Sequence, residues 1–170
     1  MADNNSPGQR DDPYGAYNFL VTLIDSSTAN VSILQGSTVG GFSECSGLEA
    51  SVPTEDYQEG GNNGTTLKFP KHIAYTNIRL KRGITASDDL WQWFNDFIEG
   101  HGTRKDGTVT LQDEQQNAVK VWQFRRGLPV KWTGPTFNAA QSQVAIQELE
   151  IAHEGLTLAP AEQAGSGGAG

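Results

Sequence analysis

Four side chains able to bind a metal or move a proton crowd into QELEIAHEGL, Gln147 to Leu156: Glu148, Glu150, His153 and Glu154. Carboxylates beside an imidazole can hold a divalent cation or work as acid and base. Such chemistry needs the groups to converge. Side chains of an extended strand alternate between its two faces. A regular strand therefore puts Glu148, Glu150 and Glu154 on one face and His153 on the other. A zinc site wants converging ligands and an anchored imidazole, and this stretch alone does not supply them. The simpler reading is an acidic, solvated face.

The remaining candidates are weaker. His72 and His101 lie in no zinc-type spacing. The sequence contains no HExxH, no GxSxG, no P-loop and no EF-hand loop. GGNNG, Gly60 to Gly64, is not followed directly by a helix start that could cradle phosphate. The basic pairs Lys81–Arg82 and Arg125–Arg126 read as solvated or as salt-bridged across subunits. Cys45 has no base nearby in sequence and reads as an inert thiol. No catalytic residue, metal ligand or cofactor is expected.

The whole chain sets broader limits. Its 170 residues suffice for one domain with its own core. The net charge of -8 argues against binding nucleic acid, where neutralising phosphates supplies most of the affinity. It also argues against docking on anionic lipid. With Cys45 alone, no disulfide can form within the chain, which fits synthesis in a reducing compartment. MADNNSPGQRDDP has no apolar core of a secretory signal, and no run approaches the ~20 apolar residues of a spanning helix. The expectation is synthesis in the cytoplasm without a signal peptide or direct membrane anchor.

The elements that must position these residues are mostly strands. Residues 1–13 read as a flexible arm, 14–158 as the folded domain and 159–170 as a Gly-rich tail. YNFLVTLID alternates Phe19, Val21 and Leu23 against Leu20, Thr22 and Ile24, and apolar residues on both faces suggest a central strand. VGGFSECSG holds a short strand. In LEASVPTEDY, Pro53 cannot donate to a ladder and marks an edge or a bulge. Gln58 to Thr66 is a long Gly- and Asn-rich loop. TNIRLKRGI points Ile78 and Leu80 inward and Arg79 and Lys81 outward. TASD, from Thr85, matches a capping box and opens a helix over about residues 86–99. Its apolar stripe is Leu90, Trp91, Trp93, Phe94, Phe97 and Ile98, and Gly100 is its stop. GTVTLQDEQQNAVKVWQFRRGLPVKW reads as a hairpin turning at DEQQN and continuing extended past Gly127. The last strand spans about Ser142 to Glu154. Its apolar phase changes at Gln147–Glu148, which suggests a bulge or a bend between two packed sheets.

Seven segments in sequence order carry a family resemblance: DPYGAYNFLV, GFSECSGLEA, EDYQEGGNNG, LKRGIT, LWQWF, PVKWTGP and AIQELEIAHEGL. They cover about Asp12 to Leu156 and resemble the tail-tube proteins of contractile phage tails and bacterial contractile injection systems. The resemblance implies a mainly β fold of two packed antiparallel sheets, sandwich- or barrel-like, with one flanking helix. It implies homohexameric rings that stack into a hollow tube inside a contractile sheath, released in some particles outside the cell. The implied partners are further copies, the sheath protein, baseplate tube-initiator and terminal cap proteins, and effector cargo in the lumen. On this reading Gln58, Glu59, Gly60, Gly61, Asn62, Asn63 and Gly64 form a loop that orders against a neighbouring subunit or ring. Glu148, Glu150 and Glu154 face the lumen or a ring contact. Two alternatives are a baseplate-proximal initiator ring of the same fold and, from another class, a monomeric β-barrel that binds a ligand through Trp122 or Trp132. The segment Asp25 to Gly41 departs from the pattern, being longer and more polar than a tight turn.

Overall fold

The computed structural model describes residues 13–26, 37–38, 41–58, 60–61, 64–140 and 142–160, with residues 37, 38 and 160 described by backbone alone. The expected arm before Pro13, most of the polar segment after Asp25, Glu59, Asn62, Asn63 and the tail after Pro160 lie outside the described residues. In chain order the elements are β1 (Phe19–Asp25), β2 (Ser37–Thr38), β3 (Glu44–Ser46), β4 (Ala50–Ser51), β5 (Thr54–Tyr57), β6 (Leu67–Pro70), β7 (Ala74–Tyr75) and β8 (Ile78–Gly83). Then come the helix α1 (Asp89–Ile98), β9 (Lys105–Gln112), β10 (Ala118–Thr133), β11 (Ile146–Ala152) and β12 (Gly155–Pro160).

Strand β10 belongs to two antiparallel sheets. Its first half lies between β9 and β12, in a sheet ordered β2-β1-β9-β10-β12. Its second half pairs with β11, in a sheet ordered β10-β11-β8-β3. The core fills the space between them. Val21, Leu23, Val109 and Phe124 come from the first sheet, Ile78, Leu80, Leu149 and Ile151 from the second, and Leu90 and Trp93 from the helix. Burying each such side chain contributes roughly 1.5–3 kcal/mol. The expected alternation holds in β8, where Ile78 and Leu80 are buried and Arg79 is exposed.

The switch between sheets happens at Arg125–Gly127. The β9–β10 ladder shifts register between Phe124 and Gly127, and Arg126 takes a left-handed φ of 52°. The carboxylate of Asp106 holds the corner, accepting from the Arg126 backbone N–H at 2.7 Å and from the Ser26 hydroxyl at 2.6 Å. A Cβ on Gly127 would lie 2.8 Å from the Lys105 carbonyl and 2.9 Å from Phe124. The corner therefore needs glycine for close approach. The turn before β10 falls at Asp113–Asn117, where Asp113 accepts hydrogen bonds from Gln115 and Asn117.

The helix starts later than the sequence suggests. Its N-cap is Asp88, with no capping side chain, and its first residue is Asp89. The reason is Arg82, which follows Leu80 in the buried phase of β8 and is almost fully buried. Its guanidinium pairs with the Asp89 carboxylate and donates to the Ser87 carbonyl at 3.1 Å, while the Ser87 hydroxyl also donates to Asp89 at 2.8 Å. A buried cation without a partner is costly, so this pair fixes where the helix leaves the sheet. The Lys81–Arg82 pair is thus not solvated as a unit or bridged to another subunit: Lys81 points outward to Glu44, while Arg82 is buried with Asp89 of the same chain. The apolar stripe is also narrower than expected, because Trp91 and Ile98 remain exposed. Gly100, at φ +84°, ends the helix as expected.

Two further expectations are corrected at the end of the chain. There is no bulge at Gln147–Glu148, since β11 pairs with β8 in unbroken register from Ile146 to Ile151. The apparent phase change arises because Gln147 takes a buried position, accepting from the Trp132 indole N–H at 3.2 Å, while Val144 and Ile146 point outward. The strand also stops at Ala152, and the chain turns into β12, which continues along β10 to Pro160. Residues assigned to a loose tail from 159 begin as strand.

Burial acts to raise the Asp89 pKa, but hydrogen bonds from Arg82 and Ser87, with the guanidinium charge, outweigh it and hold the group below its ordinary 3.8. A depressed carboxyl stabilises the fold above its unfolded pKa, and that gain disappears as pH falls through the lower folded value. Thermal melts between about pH 5 and pH 2 should therefore fall more steeply for the native chain than for Asp89→Asn. Equal slopes would show that the pair does not control the acid limb.

Candidate assembly surfaces

The outward face of the second sheet is where Glu148 and Glu150 lie, and it is not an acidic wall. Register places Glu44, Lys81, Glu148 and Thr133 in one row across β3, β8, β11 and β10. The next row is Ser46, Arg79, Glu150 and Lys131. Each acid thus sits beside a base, the arrangement that stabilises cross-strand pairs. Lys81 bonds both oxygens of Glu44 at 3.0 Å. Glu150 accepts from the Asn77 amide at 2.8 Å and lies 3.7 Å from Arg79.

Glu154 does not join this face. It sits in the bend after β11, 2.9 Å from Arg104 and 2.9 Å from Arg126, and its backbone N–H donates to the Arg125 carbonyl. It clamps the β11–β12 bend to the corner where β10 changes sheets. His153 lies on the opposite side, with Nδ1 3.0 Å from the Gly155 carbonyl, Nε2 3.1 Å from the Thr76 carbonyl, and its ring beside Tyr75 and Phe124. The cluster of the opening stretch therefore divides among three structural tasks. Among the described residues no three His, Cys, Asp or Glu side chains come together as metal ligands. Burial, with the Glu44 charge, pushes the Cys45 thiol up to about 11, which suppresses its thiolate at neutral pH. Trp122 and Trp132 are half-buried and pack against the core.

The predicted contact loop caps a ribbon that sequence reasoning did not foresee as a unit. Strands β4 and β7 pair at its root, β5 and β6 beyond. Two residues separate Ser51 from Thr54 and three separate Pro70 from Ala74, so the ribbon bulges beside Pro53, as expected there. Every position of β5 and β6 is exposed. One face pairs Asp56 with Lys68 at 2.8 Å. The other carries Tyr57, Leu67 and Phe69, with the two rings in edge contact at 6.0 Å, and Glu55 opposite Phe69, 3.5 Å from Lys71. Gln58, Gly60, Gly61 and Gly64 at the tip are exposed, and Gly61 has φ +100°. The alternation of Leu67, Lys68 and Phe69 in LKFP was the signal that could have revealed the ribbon's returning strand.

No described helix is long and apolar enough to cross a membrane. Among the described residues, β2, β3 and β12 each have a single ladder neighbour, leaving one side of each strand without a strand partner.

Comparison with known proteins gives this fold a family. The family model described as T4-like virus tail tube protein gp19 matches residues 15–157. The chain belongs to that family of structural tail-tube proteins. Its fold is similar to a chain in the cryo-EM structure of the anti-feeding prophage baseplate, at TM-score 0.78 and 21% identity over 90% of this chain and 99% of that one. A chain of the anti-feeding prophage tube-terminating cap gives 0.76 at 23% identity, over 94% and 99%. A chain of the sheath–tube complex of an extracellular contractile injection system, PVC, in the extended state gives 0.74 at 24% identity, over 88% and 93%. No curated protein matches the sequence.

The division of the acidic residues is testable. Glu148→Lys sets a second lysine beside Lys81 and should cost about 1 kcal/mol or less. Glu154→Lys turns two attractions at the corner into repulsions and should cost more. Urea unfolding of both variants checks the order, and the reverse order would make Glu148 the structural residue.

Proposed function

We propose that the chain forms homohexameric rings that stack into the hollow inner tube of a contractile injection system or phage tail. Contraction of a surrounding sheath drives this tube through a target envelope. The reading rests on membership of the tail-tube family and on one feature above all: an exposed two-stranded ribbon with an apolar face. An isolated hairpin is marginal in water, and exposed strand edges invite pairing. Both needs are met when identical copies close into a ring, because closure removes edges.

In such a particle the chain contacts further copies, the sheath protein, and initiator and cap proteins at the tube's ends. Effector cargo is carried in the lumen on this reading. Glu148 and Glu150 face the lumen or a ring contact, in a surface whose charges alternate. Glu154 is committed to the corner. The tip loop, Gln58 to Gly64, orders against a neighbouring subunit or ring. Stiffness and solubility serve this role without catalysis. The subunit is made in the cytoplasm and ends in the particle, outside the cell where particles are released.

Negative-stain electron microscopy of the purified protein tests the assembly. Rings or hollow filaments are expected, and a strict monomer at all concentrations would contradict the proposal. Deleting Gly60 to Gly64 should shorten or abolish filaments while leaving the subunit's melting temperature nearly unchanged. Normal filaments from the deleted chain would remove the loop from the contact.

A further inference from the structure

The projecting ribbon leaves the two-sheet body at a narrow root, the pair β4–β7, where Ala50 lies opposite Tyr75. The Thr76 N–H donates to the Glu49 carbonyl at 3.2 Å and closes the root on itself. At residues 49–51 and 74–76, the one side-chain hydrogen bond to the body among the described residues comes from His153. Its Nε2 lies 3.1 Å from the Thr76 carbonyl, and its Nδ1 lies 3.0 Å from the Gly155 carbonyl of β12. The half-buried ring has Tyr75 of β7 beside it at 5.4 Å and Phe124 of β10 at 6.1 Å.

Donor arithmetic makes this position sensitive to a proton. Both ring nitrogens face carbonyl oxygens, which only accept. A neutral imidazole carries one N–H, so it satisfies one carbonyl and turns a lone pair toward the other. An imidazolium carries two and satisfies both. An imidazole ordinarily takes up that second proton between about pH 8 and pH 5.

The charged groups around the ring are engaged elsewhere. Glu154, next along the chain, is bound to Arg104 and Arg126. Arg125 of β10 lies opposite Gly155, and its carbonyl accepts from the Glu154 N–H. Glu49 at the root and the Arg79–Glu150 pair on the outward face of the second sheet make no bond to the imidazole. Tyr75 brings the one titratable group in ring contact, and Phe124 brings none. Among the described residues no carboxylate forms an ion pair with the ring. The two carbonyls are what stabilise the doubly protonated form.

The geometry points to His153 as a proton-operated tie between ribbon and body. With two N–H groups the ring joins the Thr76 and Gly155 carbonyls, which anchors the root to the bend leading into β12. Loss of one proton releases one of these carbonyls and loosens the root. The sign is opposite to that of Asp89: the tie is present on the acid side of neutrality and is lost as pH rises. The inference concerns the single chain and holds whether or not copies assemble.

Imidazole nitrogens of the dilute full-length chain, labelled with ¹⁵N-histidine, report the protons directly. Long-range ¹H–¹⁵N spectra of the native chain and of His153→Gln separate His153 from His72 and His101. Nuclear Overhauser contacts to Tyr75 identify His153 even if the variant unfolds. At pH 5.5 both His153 nitrogens should carry protons, and at pH 8.0 only one. Amide exchange, corrected for the intrinsic effect of pH, then reads the tie. Peptides covering residues 49–51 and 74–76 should lose about fivefold in protection from pH 5.5 to pH 8.0, what one hydrogen bond contributes, with β9 unchanged. In His153→Gln the two pH values should give equal protection. A neutral His153 at pH 5.5, equal root protection at both pH values in the native chain, or the same loss in His153→Gln would overturn the tie and leave the tube reading standing.

Discussion

Strand β10 must serve two sheets, and that requirement places most of what surrounds it. A strand can change partners only where its ladder breaks, and here it breaks between Phe124 and Gly127. The break is held by side chains on every adjoining segment. Asp106 of β9 takes the freed Arg126 N–H, Glu154 draws in Arg104 and Arg126, and Gly127 lets Phe124 and the Lys105 carbonyl close over the corner. The strand after Glu154 can then run along the first half of β10 as β12, while the strand before it runs along the second half as β11. The charged stretch that first suggested chemistry is the seam of this arrangement.

The same construction leaves work undone within one copy. Sharing β10 makes both sheets short and gives each an outer strand, β2 or β12 on one and β3 on the other, with a single described neighbour. The ribbon leaves the core altogether, and the sheets splay into a cleft at its root. A monomeric binding module would be expected to close such features internally. In the proposed tube this chain has no need to, since the copies around it would complete them.

Much of the fold was legible because strand periodicity is short and local. Ile78 and Leu80 against Arg79 and Lys81, the turn at Asp113–Asn117 and the stop at Gly100 each follow from residues within a few positions. Most of the failures come from polar pairing between elements. Arg82 occupies a core position because Asp89, at the start of the helix, pairs with it, and the helix begins at Asp89 with no capping side chain. Gln147 is buried because Trp132 offers it a donor, which disguised a regular strand as a broken one. Glu148 and Glu150 were visible as a shared face, but not the bases opposite them, since register between β8, β10 and β11 is not written in any one segment. The ribbon's outgoing strand is legible in LEASVPTEDY, but its pairing with Leu67–Pro70 is not, because the two short strands are separated by the tip.

The central claim is that strand edges and the ribbon complete their contacts only between copies. Amide hydrogen exchange, read by mass spectrometry on dilute subunit and on assembled protein, tests it most directly. The account requires amides of β3, β12 and the β5–β6 ribbon to exchange rapidly in the free subunit and to gain strong protection on assembly, while β8, β9 and β11 change little. Protection already complete in the solitary chain, or unchanged on assembly, would contradict it.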